Sequence, residues 1–144
     1  MASAHDVAAY ILERKGRMTA MKLQKLVYYS QVWSVVWEER PLFPEQIQAW
    51  ANGPVVRELY ERHRGQFEVS DWPAGSSTRL TDEDRAVIDD VLEFYGDKSA
   101  QWLSDLTHRE QPWLLARRGL PDGVRGEHEI TLDSIEEYYS SLPA

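Results

Sequence analysis

The chain has 144 residues, a net charge of −8 and no cysteine, with 42% hydrophobic and 28% charged residues. This length suits one domain that buries roughly 70% of its unfolded-chain surface, and the missing thiols exclude a disulfide scaffold and any thiolate metal centre. No apolar run approaches the ~20 residues that span a bilayer, and Met1–Asp6 lacks the basic and apolar regions of a signal peptide, so a cytoplasmic protein without a membrane partner is expected.

Apolar residues at Val7, Ala8, Ile11 and Leu12 share one helical face, and Gly16 is placed to stop that helix. Thr19 is the natural N-cap of the next helix. Its stripe runs Leu23, Leu26, Val27, Ser30, Trp33 and Trp37, spaced by three and four. The stripe is expected to be buried, with Lys22, Lys25 and Gln31 on the opposite side and Tyr28 and Tyr29 adding aromatic bulk. Arg40–Pro44 breaks the helix. Gln46–Trp50 alternates polar and apolar residues and reads as a short strand. Asn52-Gly53-Pro54 then reads as the start of another helix, with Pro54 at the first helical position, where its missing N–H is harmless. Val56, Leu59 and Tyr60 would form its buried face.

Asp71–Thr78 is rich in turn formers and reads as a loop inside one domain. Thr81 with Asp84 is a capping-box-like start, followed by Val87, Ile88, Val91, Leu92 and Tyr95 at helical spacing and stopped by Gly96. Ser99 can cap a short helix bearing Leu103 and Leu106. Pro112 can open another with Trp113, ended by Gly119. Asp133 with Glu136 resembles a capping box for a last helix through Ile135, Tyr138, Tyr139 and Leu142. The expected fold is mainly α: a compact single domain over 1–144, with about seven helices and one short β element near residues 46–50.

Chemistry-bearing patterns are sparse. His5, His63, His108 and His128 are scattered, with no pair at zinc-binding helical spacing. There is no glycine-rich phosphate loop and no nucleophile elbow. An enzyme is therefore not expected, and neither a cofactor nor a metal. Residues 1–65 carry nine Lys/Arg and seven Asp/Glu, whereas residues 66–144 carry seven and seventeen. An acidic chain repels phosphate backbones, which argues against nucleic acid. Its acidic half either steers a basic partner or simply faces water, and the second is the commoner use of such a charge run. In the helical segment that follows Thr81, Asp89, Asp90 and Glu93 interleave with apolar positions and are candidate steering charges, with Asp89 and Glu93 expected to be exposed.

Two segments have both a recognition reading and a structural one. His108, between two helical segments and before Pro112-Trp113, is either a partner contact or an imidazole fixing a helix junction. Trp50, beside Asn52-Gly53-Pro54, is either an interface anchor or core filling. In both, the structural reading is favoured.

Three stretches nevertheless resemble a known family. Lys22-Leu23-Gln24-Lys25-Leu26-Val27-Tyr28-Tyr29-Ser30-Gln31 is similar to the early helix of the Panacea domain of SocA-like antitoxins. Phe43, Ile47, Ala49-Trp50, then Asn52-Gly53-Pro54-Val55-Val56 closing on Leu59-Tyr60 resembles its second hallmark. Leu103-Ser104, Thr107-His108 and Pro112-Trp113 with Ala116-Arg117 resembles the third. They occur in the right order, and the resemblance as a whole covers roughly residues 5 to 140.

The resemblance implies an antitoxin of a bacterial or prophage toxin–antitoxin pair. Its partner would be a cognate protein toxin, held by direct contact or handed to an ATP-dependent protease. The competing readings are a general or prophage-associated interaction module without a toxin, and a DNA-binding regulator, which the charge disfavours. On the resemblance, the residues for partner contact are Lys22, Lys25, Tyr28, Tyr29, Trp50, Asn52, Gly53, Pro54, His108, Pro112 and Trp113.

Overall fold

Helix starts are written locally in the chain. Ser3 and Asp6 form a reciprocal capping box at the head of α1 (Ala4–Lys15), and Gly16, at φ +78°, ends it. The Thr19 hydroxyl accepts from the Lys22 N–H and starts α2 (Ala20–Glu38). Two short helices and strands intervene before Thr81 and Asp84 build a second capping box for α4 (Asp82–Tyr95). Ser99 caps α5 (Ala100–Thr107), and Pro112 lies in the first turn of α6 (Gln111–Arg117). The structure, a computed structural model, describes residues 1–143. It contains seven α-helices among those residues, the others being α3 (Arg57–His63) and α7 (Leu132–Tyr139). The α7 cap is the Thr131 hydroxyl, which accepts from the Ser134 N–H. The Asp133–Glu136 start expected from the sequence therefore lies too far into the helix.

The strands are short. Beyond the expected β2 (Ile47–Trp50), the chain forms β1 (Met18–Thr19), β3 (Gly53–Val56), β4 (Glu68–Val69) and β5 (Glu129–Ile130). β3, β2 and β5 make one antiparallel sheet in that order, and β1 pairs with β4. Ile47 lies opposite Val56 on one side and Ile130 on the other. The fold is mainly α, as expected, with more β structure than one element.

Three expectations need correction. First, residues 53–56 do not open a helix: they form β3, the edge strand of a tight hairpin in which Trp50 faces Gly53 across Ala51-Asn52. The edge position tolerates Pro54, which has no N–H for a ladder. The helix begins only at Arg57. Second, α2 does not have an exposed polar side. It is enclosed by α1, α4, α5, α7 and β3, so Lys25 and Gln31 are as buried as Leu23 and Leu26. Gln31 acts as a clamp: its side-chain oxygen accepts from the Leu42 and Phe43 N–H groups, and its amide donates to the Phe43 carbonyl. Third, the stripe emerges at its C-terminal end. Trp33 is half-buried and Trp37 is 48% exposed, because the last turn of α2 stands open to an aromatic groove among the described residues. No helix among the described residues is long and apolar enough to cross a membrane.

Candidate protein-interaction site

The three motif segments converge on one feature, the β2–β3 hairpin. From α2, Gln24 pairs with Val56 as a strand would: its oxygen accepts from the Val56 N–H and its amide donates to the Val56 carbonyl. The same amide donates to His63 Nε2, which places the His63 proton on Nδ1, and burial lowers the His63 pKa. One residue along, the Lys25 Nζ donates to the Pro54 carbonyl at 3.3 Å. From the α5–α6 corner, the Trp113 indole donates to the Trp50 carbonyl at 2.9 Å. The His108 ring nitrogens lie 2.6 Å from the Ser104 carbonyl and 3.0 Å from the Ala51 carbonyl. A neutral ring donates to one of these and a protonated ring to both. His108 thus ties a helix end to the hairpin loop. Arg117, 2% exposed, spans the other side, donating to the carbonyls of Ala49, Pro121 and Val124.

Gly53 is demanded twice. Its φ of +121° is outside the range of ordinary side chains, and an added Cβ would lie 2.5 Å from Lys25 Cε and 3.0 Å from Thr107 Oγ1. Gly53→Ala should cost about 2–4 kcal/mol, combining backbone strain with overpacking. A urea midpoint equal to that of the wild type would refute this account.

Beside the hairpin lies an open cleft of about 410 Å³, lined by Met21, Trp50, Asn52, Tyr60, His63 and Arg125 among others. The Trp50 ring meets Tyr60 edge-on at 4.8 Å and its indole donates to Gln48 Oε1 at 2.8 Å, so the cleft wall is held rigidly. It offers aromatic faces, an imidazole, an amide and a guanidinium, and Trp, Tyr and Arg are residue types enriched at protein interfaces.

A model of the family described as antitoxin SocA-like, Panacea domain, matches residues 23–114, well over half of the chain. The chain belongs to this family. No curated protein and no solved structure matches it. The match runs from α2 to α6 and so contains every hairpin contact made by Gln24, Lys25, His108 and Trp113. In this Panacea domain the motif residues divide by accessibility. Asn52 is exposed, and Lys22, Trp50 and His108 are half-buried. Lys25, Tyr28, Tyr29, Gly53, Pro54, Pro112 and Trp113 are buried; of these, Lys25 and Trp113 hold the hairpin, whereas Tyr28 and Tyr29 bond to Tyr139 and Glu110 instead. Tyr60, inside the second motif, has the spacing of a core residue but is half-buried and lines the cleft, and Arg125, from a distant loop, carries no sequence signal for the cleft.

Proposed function

We propose that this Panacea domain is an antitoxin that neutralises a protein toxin by direct contact in the cytoplasm, without catalysing a reaction. The observation that carries the reading is membership of the SocA-like antitoxin family. The rigid, partly accessible hairpin cleft supports it, as do large exposed side chains such as Trp37 and Phe94. Occlusion of the toxin's working surface is the mechanism, and delivery of the bound toxin to an ATP-dependent protease would follow from the same contact.

The test is co-expression with the neighbouring genes of its own genome. One neighbour should arrest growth alone and be tolerated with this chain, and the two should co-purify. A toxin whose half-life shortens in the presence of the chain would point to proteolytic delivery. If no neighbour is neutralised, the antitoxin reading falls.

The acidic half supports electrostatic steering, with one correction to the residues. Asp89 is not a free surface charge: it accepts from the Tyr10 hydroxyl at 2.7 Å and lies 3.5 Å from Arg14. Asp90 and Glu93 are exposed. Reversing Asp90 and Glu93 to lysine should slow association with the toxin several-fold at low salt, with little change near ~1 M salt, where the Debye length is about 3 Å. Stopped-flow rates that are equal for both proteins at low salt would remove steering and leave binding intact.

A further inference from the structure

A second concave surface lies away from the hairpin. It is a groove of about 430 Å³ between the end of α2, α4, α5 and the Leu142-Pro143 segment. Its walls are aromatic and open: Trp37 is 48% exposed, Phe94 62% and Trp102 39%. They are also preorganised. Trp33 and Trp37 stack with centroids 5.1 Å apart, the Trp33 indole donates to the Tyr95 hydroxyl, and Tyr95 stacks on Tyr29 at 4.2 Å. Lys98 lies over one face of Trp102 at 4.9 Å, so that ring is already in use as a cation platform.

The groove also contains a carboxylate with no ion pair among the described residues, although Arg109 lies near enough to act on it electrostatically. Glu110 lines it while being only 6% exposed. Its Oε1 accepts from the Tyr29 hydroxyl at 2.6 Å and the Tyr139 hydroxyl at 2.7 Å. Among the described residues, Oε2 takes no hydrogen bond and no cationic group forms an ion pair with Glu110. Among the described residues, Oε2 is not one of the fully enclosed side-chain atoms that lack a hydrogen bond, so it has solvent access. Burial holds this carboxyl above the usual carboxylate range, and an arriving cation would reverse that. The exposed Asp90 adds a second acidic group at the rim.

We propose that this groove receives an arginine side chain, flanked by apolar residues, from the partner protein: the guanidinium stacks on the tryptophan faces and donates to Glu110 Oε2. Arginine fits because its planar cation is weakly hydrated and stacks on aromatic rings, whereas apolar residues on either side cover Phe94 and Leu142. The partner's identity as a toxin rests on the antitoxin reading; the chemistry of the groove does not.

The probe is a fluorescein-labelled peptide with one arginine between leucine residues, compared with its glutamine counterpart by fluorescence polarisation against the full chain. The arginine peptide should bind about tenfold more tightly, a difference of about 1.4 kcal/mol. Glu110→Gln should abolish that preference, since the amide still accepts from the tyrosines but carries no charge. Phe94→Ser, at an exposed position, should weaken both peptides and guards against a folding effect at Glu110. Equal binding of the two peptides, or no saturable binding below the millimolar range, overturns the proposal. So does a concentration-dependent dimer in sedimentation that Phe94→Ser disrupts, because the groove would then be covered by a second copy. Growth rescue separates the two readings. If a toxin is neutralised equally by the wild type, Glu110→Gln and Phe94→Ser, the groove proposal fails and the antitoxin reading stands. If the arginine preference holds and no toxin is neutralised, the antitoxin reading fails and the groove proposal stands.

Discussion

Replacing Lys25 with methionine is expected to flatten the rise of stability with pH between about pH 7 and 10. Lys25 is fully buried, and its Nζ has one acceptor, the Pro54 carbonyl at 3.3 Å. Desolvation lowers its pKa from 10.5 to about 7. Above 10.5 the amine is neutral in both the folded and unfolded chain, so its titration costs nothing. As pH falls from 10.5 towards 7, the unfolded chain takes up the proton and the folded chain does not, and stability is lost at about 1.4 kcal/mol per pH unit. Below 7 both states are protonated, and the folded state carries the whole penalty, on the order of 5 kcal/mol. Methionine has similar length and no charge, so Lys25→Met should be the more stable protein near neutral pH, by up to that amount less one hydrogen bond. The two should converge towards high pH. Burial raises the pKa of Tyr28, Tyr29 and Tyr139, and their linkage acts in the opposite direction above about pH 10, where unfolded tyrosines ionise. Urea unfolding at about pH 7.5 and 9.5 therefore isolates the lysine. Parallel wild-type and variant slopes across that interval would show that Lys25 is charged and compensated in the fold.

Truncating Trp113 should have the largest effect among the motif aromatics. The ring is 2% exposed, is packed 4.0 Å from His108 and lies 5.2 Å from the Arg117 guanidinium, and it donates to the hairpin carbonyl of Trp50. Trp113→Ala should cost about 3–5 kcal/mol. That approaches the whole margin of about 5–15 kcal/mol that keeps a domain folded. The loss should also be local. Amide exchange across β2 and β3 should accelerate more than in α1, because the indole joins α6 to the hairpin and makes no bond to α1. Leu115 is the control: it is on the same helix and 63% exposed, and Leu115→Ala should stay within about 0.5 kcal/mol of the wild type. Equal melting points for the two variants would show that the corner does not depend on the indole.

Much of the fold was legible in the sequence where the physics is local. A Ser or Thr hydroxyl reaches an N–H two or three residues ahead, so Thr19, Thr81 and Ser99 could be recognised as caps from neighbouring residues alone. Gly16 stops α1 by its own φ. The family was legible for a related reason. The motif residues quoted for it fall in three short segments of this chain, and each segment supplies at least one residue to the hairpin or its contacts.

What required the tertiary structure was the environment of each face. Pro54 suits the first turn of a helix and an edge strand equally; only pairing of β3 with β2 decides between them. Lys25 and Gln31 look like solvent-facing residues until α4, α5, α7 and β3 close around α2, and then a carbonyl or a loop backbone replaces water as their partner. Trp37 looks like core and is not, since among the described residues the last turn of its helix is left 48% exposed at this ring. Glu110 is the clearest case. Nothing in its neighbours along the chain marks it, yet it meets Tyr29, which lies 81 positions away, and Tyr139, which lies 29 away, in the buried interior. Caps and stops depend on atoms within one turn of chain, so sequence alone determined them. Burial, strand pairing and the partners of a buried carboxylate depend on distant segments meeting, and only the folded chain decides which ones do.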